Sequence, residues 1–156
     1  MSPSPETATI RKLAPADLER AATLLCALNQ DTPHALVRER LATVLADHSH
    51  YQLIGAFVDG KLVGVSGAWI ATKIWCGKYL EIDNLVVDPE IRSAGIGSLL
   101  IRHLEALARE LDCKILCLDS YTSNHASHRL YHRLGFEIWG FHFIKPIGDW
   151  SGKPQA

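Results

Sequence analysis

The 156-residue sequence has few cysteines, no excess of one charge and no long apolar run. Four cysteines without a CxxC pair are too few for a disulfide scaffold, so we expect reduced thiols. A net charge of −1 argues against a protein that binds nucleic acid through a basic surface. No apolar stretch approaches the roughly 20 residues of a membrane-spanning helix, and no secretion signal is recognisable. We therefore expect a cytoplasmic protein without nucleic-acid or membrane partners.

What the sequence does contain is the composition of one globular domain. Its hydrophobic fraction is 47%, and a chain of this length buries about 70% of its unfolded surface. We expect residues 1–7 to be a flexible tail, residues 8–145 the folded domain, and residues 146–156 a second tail.

Hydrophobic periodicity predicts alternating strands and helices along this domain. The turn Asp59-Gly60 predicts a two-residue hairpin between two of the strands. The predicted fold is α/β, a mixed sheet with helices packed on it, in the order β-α-α-β-β-β-α-β-α-β. The predicted strands are 8–13, 51–58, 62–70, 80–87, 114–118 and 136–144, and the predicted helices are 15–29, 35–47, 95–111 and 124–134.

The segment between the strand that ends at Asp88-Pro89 and the helix that begins near Gly95 has the features of an anion site. Free N–H groups at a helix start favour phosphate, glycines at 95 and 97 allow close approach, and Arg92 adds positive charge. The segment is neither a GxxxxGK[ST] loop nor a GxGxxG fingerprint. From the glycines alone, a helix start that only relieves crowding is an equal alternative.

The string Arg92-Ser-Ala-Gly-Ile-Gly97 resembles the R/Q-x-x-G-x-G/A signature of the GNAT superfamily of acetyl-CoA-dependent N-acetyltransferases. Asn124, seven residues before Tyr131 and followed by Gly135-Phe136, is similar to the second helix motif of that family. Ser93 departs from the glycine that many members carry. The resemblance covers residues 8–145. A weaker resemblance, carried by residues 126–131 and 141–145, links the chain to a subgroup that includes aminoalkylphosphonate acetyltransferases.

The resemblance implies a GNAT fold with splayed central strands and acetyl-CoA as co-substrate. The Val87 backbone would pair with the pantetheine arm, and the Leu85 N–H would hold the acetyl carbonyl and its oxyanion. The pyrophosphate would lie on the amides that follow Arg92, and Asn124 would contact the coenzyme arm. The implied coenzyme-binding residues are Leu85, Val86, Val87, Arg92, Ser93, Ala94, Gly95, Ile96, Gly97, Ser98 and Asn124.

Two residues are candidates for proton transfer. Glu81, eleven residues before Arg92, matches the position of a catalytic glutamate in several members and is the candidate base; an ion pair or an ammonium anchor are its alternatives. Asp83 lies on the same strand face and can serve instead. Tyr131 is the candidate acid for the departing thiolate, with a buried core tyrosine as the alternative.

Three histidines, at 125, 128 and 132, have a spacing that places them on one side of a helix. No cysteine or carboxylate completes a familiar metal site around them. We favour solvated or hydrogen-bonded histidines, and we expect no metal cofactor.

These residues predict an N-acetyltransferase in which a primary amine attacks acetyl-CoA directly in a ternary complex. The alternative is a module of the same fold that binds acyl-CoA without catalysis. We expect the acceptor pocket within 29–36, 69–78 and 139–145. Candidate lining residues are Trp69, Trp75, Trp139 and Phe141, with core packing an equal alternative for each. The acceptor, a small-molecule amine or a protein amine, is not fixed by the sequence, and neither are the acyl chain nor homodimer formation.

Overall fold

A computed structural model describes residues 8–91 and 94–149. The chain divides into two compact units, one ending at Cys117 and the other beginning at Leu118. The elements in chain order are β1 (Thr9–Lys12), a 3-10 turn (Pro15–Asp17), α1 (Leu18–Leu28), α2 (His34–Asp47), β2 (Tyr51–Val58), β3 (Lys61–Lys73), β4 (Gly77–Val87), a second 3-10 turn (Pro89–Ile91), α3 (Ile96–Glu110), β5 (Ile115–Leu118) and α4 (His125–Arg133).

The strands form one mixed, five-stranded sheet in the order β1-β2-β3-β4-β5. The first four strands pair with their neighbours in antiparallel fashion. The turn between β2 and β3 is the predicted hairpin: Asp59 and Gly60 both have positive φ, +50° and +74°, and Val58 pairs with Lys61. Two successive positive φ angles give the turn the twist that a two-residue hairpin needs. The prediction of an α/β fold with a mixed sheet is confirmed.

The two faces of the sheet carry different layers. Residues that alternate along a strand point to opposite faces, and Leu80 and Ile82 of β4 are buried on the face that packs against α3. The opposite face of β2 and β3 joins the helices α1 and α2 in a core. That core contains Ala21, Ala22, Leu24, Leu25, Val37, Leu41, Tyr51, Leu53, Phe57, Leu62, Val65 and Val86.

The predicted strand over residues 136–144 is wrong, because the chain is irregular after α4. Gly135, with a φ of +89°, follows the end of that helix. The aromatic composition of the segment favours a strand, but this propensity depends on packing against neighbouring strands. Within the second unit the large side chains of the segment are exposed instead, Phe143 by 90%. The order of elements therefore ends with α4 in the described part of the chain.

Candidate active site

The site begins with an irregularity in β4. Val65 pairs with Val86 and Gly67 pairs with Asp83, so Asn84 and Leu85 lie opposite the single residue Ser66. This is a β-bulge, and Asn84 accommodates it with a left-handed φ of +52°. A bulge leaves one residue out of the ladder and bends its strand. Around Leu85 the β4 backbone therefore departs from the regular pairing that the strand has on either side of the bulge.

Asp83, next to the bulge, is a half-buried carboxylate that accepts hydrogen bonds from Tyr51, Trp69 and Asn84. The Tyr51 hydroxyl and the Trp69 indole N–H both donate to its Oδ2, at 3.4 and 3.3 Å. Burial raises the pKa of the Asp83 carboxyl, while hydrogen bonds from Trp69, Asn84 and Tyr51 oppose that rise. A carboxylate with a raised pKa accepts a proton more readily than a solvated one.

Tyr51 of β2 reaches Asp83 of β4 across β3, and Gly67 of β3 leaves room for its ring. A Cβ atom at position 67 would lie 1.9 Å from the Tyr51 hydroxyl oxygen, so no other residue leaves room for this ring. Burial, followed by the charge of Asp83, raises the pKa of Tyr51 well above its usual value. Tyr51 therefore stays protonated at neutral pH and acts as a donor to the carboxylate.

A pocket of about 230 Å³ opens beside the bulge and Asp83. Its apolar wall comes from the helices α1 and α2, and its polar groups come from β2, β4, α2 and the end of α1 with the following loop. The lining residues are Leu25, Asn29, Thr32, Val37, Arg40, Leu41, Val44, Tyr51, Asp83 and Asn84. Of the three segments expected to form an acceptor pocket, only 29–36 contributes to this one.

Glu81, the predicted base, lies on the same face of β4 as Asp83. It pairs with Trp69 across the strands and is half-buried. It is not among the residues that line the pocket. The structure thus brings Asp83 to a cavity, and the role of Glu81 stays a prediction.

The predicted phosphate end of the site lies at the start of α3. Gly95 precedes the helix with a φ of +80°, a conformation that favours glycine. The first N–H groups of α3, at Ile96, Gly97 and Ser98, have no partner within their own helix. Arg92 and Ser93 lie outside the described residues. Gly95 and the first N–H groups of α3 have the arrangement that an anion site at a helix start requires.

The end of β4 is anchored by an ion pair that sequence analysis did not identify. Arg20 of α1 contacts Asp88 at 2.5 Å and also donates to the Leu62 carbonyl at 3.3 Å. Asp88 in turn accepts the Glu90 N–H at 3.1 Å, and its own N–H donates to the Val63 carbonyl. These bonds fix the turn that leads from β4 toward the start of α3.

The second unit contains Asn124 and Tyr131. The Asn124 side chain accepts the Ser127 N–H at 3.4 Å and so caps α4. Burial raises the pKa of Tyr131, and a hydrogen bond with Ser127 opposes the rise. Tyr131 is therefore protonated at neutral pH, as a general acid must be. The predicted contact between Asn124 and the coenzyme arm stays a prediction.

Two of the three histidines of α4 place a ring nitrogen against a backbone carbonyl. His128 Nε2 lies 2.9 Å from the Tyr121 carbonyl, and His132 Nδ1 lies 3.1 Å from that of Phe136. Among residues 8–91 and 94–149, no three His, Cys, Asp or Glu side chains converge as a metal site would require. In that same part of the chain no helix combines the length and apolarity needed to cross a membrane.

Residues 17–136 match the Acetyltransferase (GNAT) family. This chain belongs to the GNAT acetyltransferase family. The match confirms the predicted acyltransferase class. It also agrees with the mixed α/β fold described above. A solved aminoglycoside N-acetyltransferase, AAC(6')-Iy in complex with CoA, is 21% identical, covers 90% of this chain and 95% of its own, and has a TM-score of 0.79. Because the sequence identity is only 21%, this similarity is evidence for a shared fold alone.

Curated relatives of this GNAT chain include several N-acetyltransferases. N-alpha-acetyltransferase RimI of Mycobacterium tuberculosis is 33% identical over 90% of this chain and 85% of its own length. Aminoalkylphosphonate N-acetyltransferase of Salmonella typhimurium is 28% identical over 88% and 90%. A Bacillus subtilis relative named for alanine N-acetylation of ribosomal protein bS18 is 32% identical over 60% of this chain, and the match spans only 57% of that relative.

Proposed function

We propose that this protein transfers the acetyl group of acetyl-CoA to a primary amine by direct attack within a ternary complex. The observation that carries the proposal is the half-buried Asp83 carboxylate, which lines a pocket directly beside the β4 bulge. The pocket offers an amine a place next to a proton acceptor. Membership of the GNAT family supports the donor and the reaction class.

The residues present fit acetyl-CoA as donor. The bulge at Asn84–Leu85 leaves a backbone group out of the ladder, and we assign the Leu85 N–H to the thioester carbonyl. Val86 and Val87 continue the strand along which pantetheine would lie. The amides from Ser93 to Ser98, Ala94 and Gly95 included, and the Arg92 side chain would hold the pyrophosphate. Asn124 completes the proposed coenzyme set.

The reaction balances with two side chains. The amine nitrogen attacks the thioester carbon, the carbonyl oxygen gains charge against the Leu85 N–H, and the C–S bond then breaks. The acceptor, which binds as an ammonium ion, first releases one proton to water and so becomes the nucleophile. After the attack the nitrogen loses a second proton to a carboxylate, for which we favour Asp83 over Glu81 because Asp83 lines the pocket. The departing thiolate takes a proton from the phenol of Tyr131. No covalent acyl-enzyme is required.

The names of the relatives define two classes of acceptor. The Bacillus relative is named for an alanine of ribosomal protein bS18, RimI for N-alpha-acetylation, and the Salmonella relative for aminoalkylphosphonates. We therefore propose a protein amine or a small-molecule amine as the acceptor. A module that binds acyl-CoA without turnover is the competing function.

Thiol release from acetyl-CoA, measured over a panel of small amines and peptide N-termini, tests the proposal. We expect release that depends on the amine and saturates with both substrates. Saturable CoA binding without amine-dependent release from any panel member would instead establish the binding module.

A further inference from the structure

The α2 wall of the pocket contains one charged residue, the exposed Arg40. Val37, Arg40, Leu41 and Val44 all line the cavity, and their spacing of three and four residues places them on one helix face. Three of the four are apolar, as expected for a helix face against a core. Arg40 interrupts that face with a guanidinium at the pocket.

Arg40 also lacks the partners that neighbouring arginines have. Arg38, on the same helix, pairs with Glu19 at 3.1 Å, and Arg20 pairs with Asp88. Within residues 8–91 and 94–149, Arg40 makes neither an ion pair nor a side-chain hydrogen bond. Its five donors are therefore available to a molecule in the pocket.

The same pocket holds Asp83, so it presents one carboxylate and one guanidinium to its occupant. Asn29 and Thr32 add neutral polar groups at the lining. A carboxylate is complementary to an ammonium group, and a guanidinium is complementary to a planar or tetrahedral oxyanion. A molecule that carries both groups matches this distribution of charge.

The cavity, at about 230 Å³, is somewhat smaller than the roughly 300–1,000 Å³ of most small-molecule pockets. A small acceptor with a short chain between its amine and its oxyanion fits a cavity of this volume.

Resting on the function proposed above, we infer that Arg40 binds an oxyanion of the acceptor. The acceptor class is then a small primary amine that bears a carboxylate, phosphonate or phosphate group. The amine nitrogen lies at Asp83 and the oxyanion at Arg40. Arg40 is in this account a specificity residue and takes no part in proton transfer.

Matched acceptor pairs test this inference. One arm compares β-alanine with β-alaninamide, and the other compares 3-aminopropylphosphonate with 3-aminopropanol, so that the two oxyanions are distinguished. Each acceptor is assayed by thiol release with the wild type, Arg40→Gln, Arg40→Lys and Arg38→Gln. Arg38→Gln is the matched control, because it removes the same charge from the same helix outside the pocket lining.

We expect Arg40→Gln to lower kcat/KM for at least one oxyanion-bearing acceptor by about tenfold or more, mainly through KM. The neutral member of that pair should change less than twofold. Arg40→Lys should recover part of the loss, and Arg38→Gln should match the wild type. Equal melting temperatures establish that the variants are folded.

Two results would overturn the inference while leaving the proposed function intact. One is an equal loss for the charged and the neutral member of both pairs. The other is a wild type that prefers neutral amines or peptide N-termini to every oxyanion-bearing acceptor. Absence of thiol release with all acceptors would instead contradict the proposed function itself.

Discussion

The two faces of β4 differ completely although they share one backbone ladder. Leu80 and Ile82 point to the α3 side, where they are 0% and 5% exposed. Glu81 and Asp83, the residues between and after them, point to the other side, where they are half-buried and polar. One strand thus contributes stability through one face and candidate chemistry through the other. A substitution on either face should therefore affect mainly one of the two properties.

The bulge marks where this division ends. Before it, Glu81 and Asp83 occupy the polar face; after it, Val86 occupies the same face and joins the core with α1 and α2. The extra residue reverses the alternation of the strand. As a result, the polar face is short and lies next to the distorted backbone that we assign to the acetyl group.

The largest expected effect on stability lies on the α3 face, at Leu80. Leu80→Ala removes a fully buried side chain and should lower the free energy of unfolding by about 2–5 kcal/mol, through lost transfer energy and the cavity left behind. Chemical denaturation measures this change. Below the unfolding transition, kcat for the folded fraction should stay within about twofold of the wild type. A loss of stability below 1 kcal/mol would show that this face is not the core described here.

A smaller effect is expected on the polar face, at Tyr51. Tyr51→Phe removes one donor to the Asp83 carboxylate, and a lost donor destabilises the charged form. The pKa of Asp83 should therefore rise, and the acid limb of the kcat/KM profile should move to higher pH. Unfolding free energy should fall by only about 1 kcal/mol.

Tyr79→Phe is the matched control for this pH measurement. Tyr79 is also on β4, but its ring contacts Lys73 at 4.3 Å and has no part in the Asp83 group. Its variant should keep the acid limb of the wild type. An unmoved limb in Tyr51→Phe would show that Asp83 does not govern the acid side of the profile.

Much of the fold was predictable because its signals are local. The strand 51–58 was predicted with the bounds that β2 has, and Asp59-Gly60 defined the hairpin. Gly95 was placed at the start of the long helix, which begins at Ile96. Glycine, proline and apolar spacing determine such features within a few residues of sequence. The predicted strand over 136–144 is wrong because strand formation depends on a partner strand as well as on composition.

The site was less predictable because it depends on register. Asp83 was identified as an alternative base, but two of its donors, Tyr51 and Trp69, lie on β2 and β3, and only the strand pairing brings them to it. Gly67 was the signal available in the sequence, since a glycine inside a strand often marks a close approach. The bulge at Asn84 and the pocket position of Arg40 had no comparable local signal.

The most direct test of the central claim, that the polar face of β4 carries the proton transfer beside the bulge, is thiol release by Asp83→Asn and Glu81→Gln compared with the wild type. Both substitutions keep the shape of the side chain and replace the basic carboxylate by a neutral amide. We predict that Asp83→Asn lowers kcat at least about 100-fold, with affinity for CoA unchanged and a smaller loss in Glu81→Gln. Full turnover by Asp83→Asn at neutral pH would contradict the account.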